Sequence, residues 1–77
     1  MLLEVKLYSE LKRYAPEEGN EFILELSSGA TATDLLNALK IPEEIPRTML
    51  VDGMISQEDT LLTDGCTVVF FTPLCGG

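Results

Sequence analysis

The chain has 77 residues, close to the lower limit at which a single core folds unaided, and its 45% apolar content argues for a packed globule. Thirteen acidic against five basic residues leave a net charge of −8, which repels phosphate backbones and anionic membranes and argues against nucleic-acid or lipid binding. With no histidine and two cysteines, the chain has no Ser-His or Cys-His nucleophile, cannot close a tetrahedral zinc site with cysteines, and is no secreted disulfide scaffold.

No apolar stretch is long enough to cross a bilayer, and the opening MLLEVKLYSELK alternates in polarity, unlike a signal-peptide core. The expected location is the cytoplasm. The acidic surface either keeps a small protein soluble or complements a basic protein partner.

LLEVKLY alternates cleanly, with Leu3, Val5 and Leu7 on one side of a strand and Glu4, Lys6 and Tyr8 on the other. Ser9 stands where a helix N-cap belongs, and Leu11, Tyr14 and Ala15 follow at helical spacing until Pro16 ends the segment. Glu17-Glu18, like Glu43-Glu44 further on, reads as a solvated turn. Phe22, Leu24 and Leu26 alternate with Ile23 and Glu25 as a second strand.

The main helix comes next. Thr31 is its N-cap with Asp34 in a capping-box position, and Ala32, Leu35, Leu36 and Leu39 form one apolar stripe that must press on a sheet. Pro42 and Pro46 break the chain, and TMLVDGMI reads as a hairpin, because Asp-Gly suits the type I′ turn. A second Asp-Gly at residues 64–65 precedes CTVVFF. That last strand is apolar on both faces, with Val68 and Phe70 on one and Val69 and Phe71 on the other. It is either a central strand partly covered by loops or one whose outer face meets a partner. The order predicts an α+β fold with one helix across a mixed sheet, formed by residues 1–71, with 72–77 as a tail.

The tail FTPLCGG carries the functional expectation. Pro73 cannot donate to a ladder and so helps the chain leave the sheet, while Gly76 and Gly77 lack a Cβ and fit a slot too narrow for any side chain. A terminal carboxylate is ionised at neutral pH and a poor electrophile, so joining it to sulfur or nitrogen requires activation, most simply as an acyl adenylate. No Walker-type loop is present to do this, so an enzyme elsewhere must, and the chain is a carrier or substrate.

VKLYSELKRYAP, TATDLLNALKI, VDGMI and LLTDGCTVVFFTPLCGG together resemble the sulfur-carrier family that includes the molybdopterin synthase small subunit (MoaD) and the thiazole-pathway carrier ThiS. The ending is similar to the F-P-P-[VA]-x-G-G pattern of the molybdopterin branch, with Thr72 replacing its first proline. The resemblance spans nearly the whole chain and implies a ubiquitin-like β-grasp: a mixed sheet of four or five strands under one main helix.

It also implies a role. A ubiquitin-activating-type enzyme (MoeB/ThiF-like) would use ATP and magnesium to adenylate Gly77. A sulfur donor protein would then supply the thiocarboxylate, which passes sulfur to a pterin precursor within a complex with the MoaE-like large subunit. Gly76 would be the slim penultimate residue, and Phe71, Val69, Thr72, Pro73, Leu74 and Cys75 would face partners, with Phe70 an alternative to Val69. No cofactor or metal is expected on this chain itself. Cys75 is read as a tolerated small residue, with acyl or disulfide trapping as the alternative, and Cys66 as packing. Thiazole synthesis, another sulfur-transfer pathway and conjugation to lysines remain open as uses of the same tail.

Overall fold

The computed structural model describes residues 1–16 and 19–72. Five strands form one sheet: β1 (Leu2–Leu7), β2 (Glu21–Glu25), β3 (Thr48–Val51), β4 (Met54–Ile55) and β5 (Thr67–Phe71), with the helix α1 (Ala32–Leu39) between β2 and β3. Their spatial order is β2-β1-β5-β3-β4, in which β1 and β5 are parallel and every other pairing is antiparallel. This is the α+β arrangement expected from the sequence, the ubiquitin-like β-grasp.

Alternation decides which side of the sheet meets the helix. Leu3, Val5 and Leu7 of β1 and Val68 and Phe70 of β5 have no exposed surface, and all pack with the α1 stripe Ala32, Leu35, Leu36 and Leu39. Cys66 lies in the same cluster, so its thiol is packing. On the edge strand β2 the corresponding residues, Phe22 and Leu24, are only half-buried, because a strand with one neighbour has one uncovered flank.

The ends of α1 are satisfied locally and by a distant segment. Thr31 and Asp34 close the capping box: Asp34 N donates to Thr31 Oγ1 at 3.4 Å, and Thr31 N donates to Asp34 Oδ2 at 2.8 Å. The first helical N–H groups of Ala32 and Thr33 donate to the carbonyls of Thr60 and Glu58, which fastens the 58–62 segment to the helix start. Replacing Thr31 with Ala is expected to lower unfolding free energy by about 1 kcal/mol, measured by urea denaturation. Arg47 adds a cross-loop tie, pairing with Glu58 while donating to the carbonyls of Glu43 and Ile45.

The hairpin forms as its Asp-Gly pair predicts. Asp52 and Gly53 have φ of 49° and 84°, the doubly left-handed geometry of a type I′ turn, and Val51 pairs with Met54 across it. Gly53→Ala is expected to destabilise by about 1–2 kcal/mol, because a Cβ clashes with its own backbone at that φ even though the space around it is open; thermal melts read the loss.

One local expectation is corrected. Ser9 is not a helix N-cap: it has φ of 56° inside a 3-10 helix over Ser9–Tyr14, whose N-cap is Tyr8 without any side-chain capping bond. The reason lies in the sheet. Tyr8 N still donates to Phe70 O at 3.0 Å, so the ladder to β5 holds the chain extended one residue further and the turn must start abruptly. Leu11, fully buried, anchors that turn.

Candidate functional site

β5 is the middle strand, and both Asp-Gly pairs help to hold its start. Asp52 Oδ1 accepts from Thr67 N at 2.9 Å, and Asp52 N donates to Thr67 O at 2.8 Å. Asp64 Oδ1 accepts from Leu2 N, and Gly65 N donates to Leu2 O, so the residues just before β5 clamp the start of β1. Because β5 is parallel to β1 and antiparallel to β3, its last residues lie beside the end of β1 and the beginning of β3. Phe70 pairs with Leu7, and Phe71 with Thr48. Thr72 comes next, half-buried, just past the end of the central strand.

The sheet face turned away from α1 divides into two halves. Register places Glu21, Lys6, Val69, Leu50 and Ile55 in one row across all five strands. On the β1–β2 side the row is ionic, with Lys6 Nζ 3.9 Å from Glu4 and 4.0 Å from Glu21, and Thr67 Oγ1 donating to Glu4 Oε1 at 3.4 Å. On the β5–β3–β4 side it is apolar: Val69 and Leu50 are half-buried and Ile55 is 80% exposed. Phe71, also half-buried, extends this apolar area toward the end of the central strand. An apolar area beside an ionic one is a surface suited to a protein partner rather than to water alone.

Of the residues singled out in the sequence, Val69, Phe71 and Thr72 come together here. Phe70 does not, since it is fully buried on the helix side and is excluded as a contact residue. Pro73, Leu74, Cys75, Gly76 and Gly77 lie outside the described residues, as do Glu17 and Glu18. Leu50 and Ile55 were missed by sequence reasoning. The two-residue Asp-Gly loop does imply that Leu50 opposes Ile55, but nothing local reveals that β3 lies against β5.

The chain matches the ThiS family model over residues 5–77, nearly its whole length. The chain belongs to the ThiS family. That membership places it among the ThiS/MoaD-type sulfur carriers. No curated protein sequence matches it at a significant level.

Solved structures agree on the fold of this ThiS-family protein. A putative molybdopterin converting factor subunit 1 from Pyrococcus furiosus is 25% identical, with a TM-score of 0.81 over 96% of this chain and 99% of that one. The small archaeal modifier protein 1 of Haloferax volcanii is 20% identical, with a TM-score of 0.79 over the whole of both chains. A chain from the complex of subunits 1 and 2 of the Helicobacter pylori molybdopterin-converting factor is 19% identical, with a TM-score of 0.65 over the whole of both. Among the described residues, no helix is long and apolar enough to cross a membrane.

Proposed function

We propose that this protein is a sulfur carrier for molybdopterin synthesis, loaded at the carboxylate of Gly77. The observation that carries the reading is that the family match continues to residue 77 and so takes in the Gly76-Gly77 pair. The fold supports it mechanically. β5, paired on both sides, ends at Phe71 with Thr72 next, so that a partner on the Val69–Leu50–Ile55 face would bind beside the strand end that precedes the tail in sequence.

The chemistry runs in two steps. The Gly77 carboxylate attacks the α-phosphorus of ATP in a partner's site, forming the acyl adenylate and releasing pyrophosphate. The terminal sulfur of a donor protein's persulfide then attacks the acyl carbon and AMP leaves; a thiol reductant attacks the donor-side sulfur of the resulting acyl disulfide, forming a disulfide with the donor and releasing the thiocarboxylate. The chain contributes a carboxylate without flanking side chains and the surface that docks it; it supplies no catalytic group to either step. The large synthase subunit would receive the loaded carrier, a reading supported by the two-subunit complex known for the Helicobacter pylori protein.

A second reading is favoured by the family model itself, whose description is ThiS: the same thiocarboxylate delivered to thiazole synthesis. Incubating the protein with an adenylating enzyme, ATP, magnesium and a sulfur donor tests the shared step. Intact mass should rise by the difference between one sulfur and one oxygen, and an unchanged mass overturns both readings. Mixing the loaded protein with the large synthase subunit and the pterin precursor, or with the thiazole synthase, separates them. Isopeptide-linked species on denaturing gels would instead make it a protein modifier.

A further inference from the structure

The edge of the sheet formed by β2 is not used by the site described above. In the β1–β2 ladder, Leu7 N donates to Asn20 O and Leu26 N to Met1 O, and the register pairs Val5 with Phe22 and Leu3 with Leu24. Hydrogen-bonded and non-bonded pairs alternate along an antiparallel ladder. The backbone N–H and C=O groups of Glu21, Ile23 and Glu25 therefore point away from β1, and no described residue pairs with them. The side chains of the same three residues lie on the face away from α1, where Ile23 is 62% exposed between two carboxylates. The alternate residues, Phe22 and Leu24, retain uncovered apolar surface on the helix side.

We infer that this edge accepts an extended segment of a partner protein with the pattern basic, three apolar residues, basic. The free backbone groups supply a ladder for an added strand. The middle apolar residue of the segment would cover Ile23, its two apolar neighbours would cover Phe22 and Leu24, and its two basic residues would oppose Glu21 and Glu25. The pattern reads the same in both directions, so it fits a parallel or an antiparallel addition.

Charge selects this occupant over a second copy of the chain. Antiparallel self-pairing about Ile23 would set Glu21 opposite the copy's Glu25 at both ends of the ladder, between two molecules each of net charge −8. Lys6 does not cancel this, because it is shared between Glu4 and Glu21. At the opposite edge, β4 has only two residues and is too short for a comparable ladder.

The test is a titration of the whole isotope-labelled protein with the capped peptide TKVIVKT, monitored by amide NMR. Shifts should centre on residues 21–25, and the Ile23 amide should become protected from exchange. The acidic peptide TEVIVET should bind about tenfold more weakly, and Glu21→Lys with Glu25→Lys should reverse that preference. Ile23→Pro should abolish binding without disturbing β1, because the N–H it removes faces away from the ladder. Overturning results are shifts confined to Val69, Leu50 and Ile55, no shifts at all, equal binding of the two peptides, or a dimer joined through β2. Sulfur loading at Gly77 can succeed or fail independently of each of these.

Discussion

Deleting Gly76 and Gly77 is expected to abolish sulfur loading and to leave folding untouched. Among the described residues, the sheet, the helix and the core are all formed within residues 1–71. The thermal melting curve of the shortened chain should therefore superimpose on that of the full one. Intact mass after incubation with adenylating enzyme, ATP and sulfur donor should show no sulfur gain. Gly76→Val is the finer probe, since it retains the carboxylate and adds only a branched Cβ where a slim chain is needed. A variant that loads at the normal rate after either change would remove the tail from the mechanism. The protein would then be an interaction module whose partner recognises the Val69–Leu50–Ile55 face alone.

Phe70 and Phe71 are neighbours with opposite expected effects. Phe70 has no exposed surface and is the largest of the fully buried side chains, packed in the same cluster as α1, β1 and β3 residues. Replacing it with Ala should lower unfolding free energy by about 3–5 kcal/mol through lost burial and the cavity left behind. A chain of this size holds on the order of 4–12 kcal/mol in total, so from about a quarter to all of the protein's stability is at stake. Urea denaturation should show a much lower midpoint, or a chain already unfolded in buffer. Phe71→Ala, by contrast, should cost less than about 1.5 kcal/mol, because the side chain is half-exposed on the outer face, and should weaken binding of the adenylating enzyme. If the two substitutions had similar effects on stability, the assignment of faces along β5 would be wrong.

Much of this molecule can be read residue by residue, because its local signals and its global fold agree. The alternation in LLEVKLY and the i, i+3, i+4, i+7 stripe from Ala32 to Leu39 each name one buried face, and each is buried as named. Thr31 with Asp34, and Asp52 with Gly53, announce a helix start and a tight turn through chemistry confined to four or fewer residues. CTVVFF, apolar on both sides, points to a strand with neighbours at both edges, and β5 is central. The one local reading that failed, Ser9 as an N-cap, failed because a bond from Tyr8 to Phe70, remote in sequence, governs where the strand lets go.

Adjacency, by contrast, comes from long-range packing. Period and turn chemistry tell which way a side chain faces within its own strand, but hydrogen bonding between strands carries no residue code. Nothing in TMLV or TVVFF states that they lie side by side. Only the order β2-β1-β5-β3-β4 gathers Val69, Leu50 and Ile55 into one apolar area, sets Lys6 between two glutamates, and leaves β2 as an edge where the backbone groups of Glu21, Ile23 and Glu25 bond to no described residue. The elements, their buried faces and the Gly-Gly pair follow from local residue patterns; the packing of distant strands governs which exposed residues stand together.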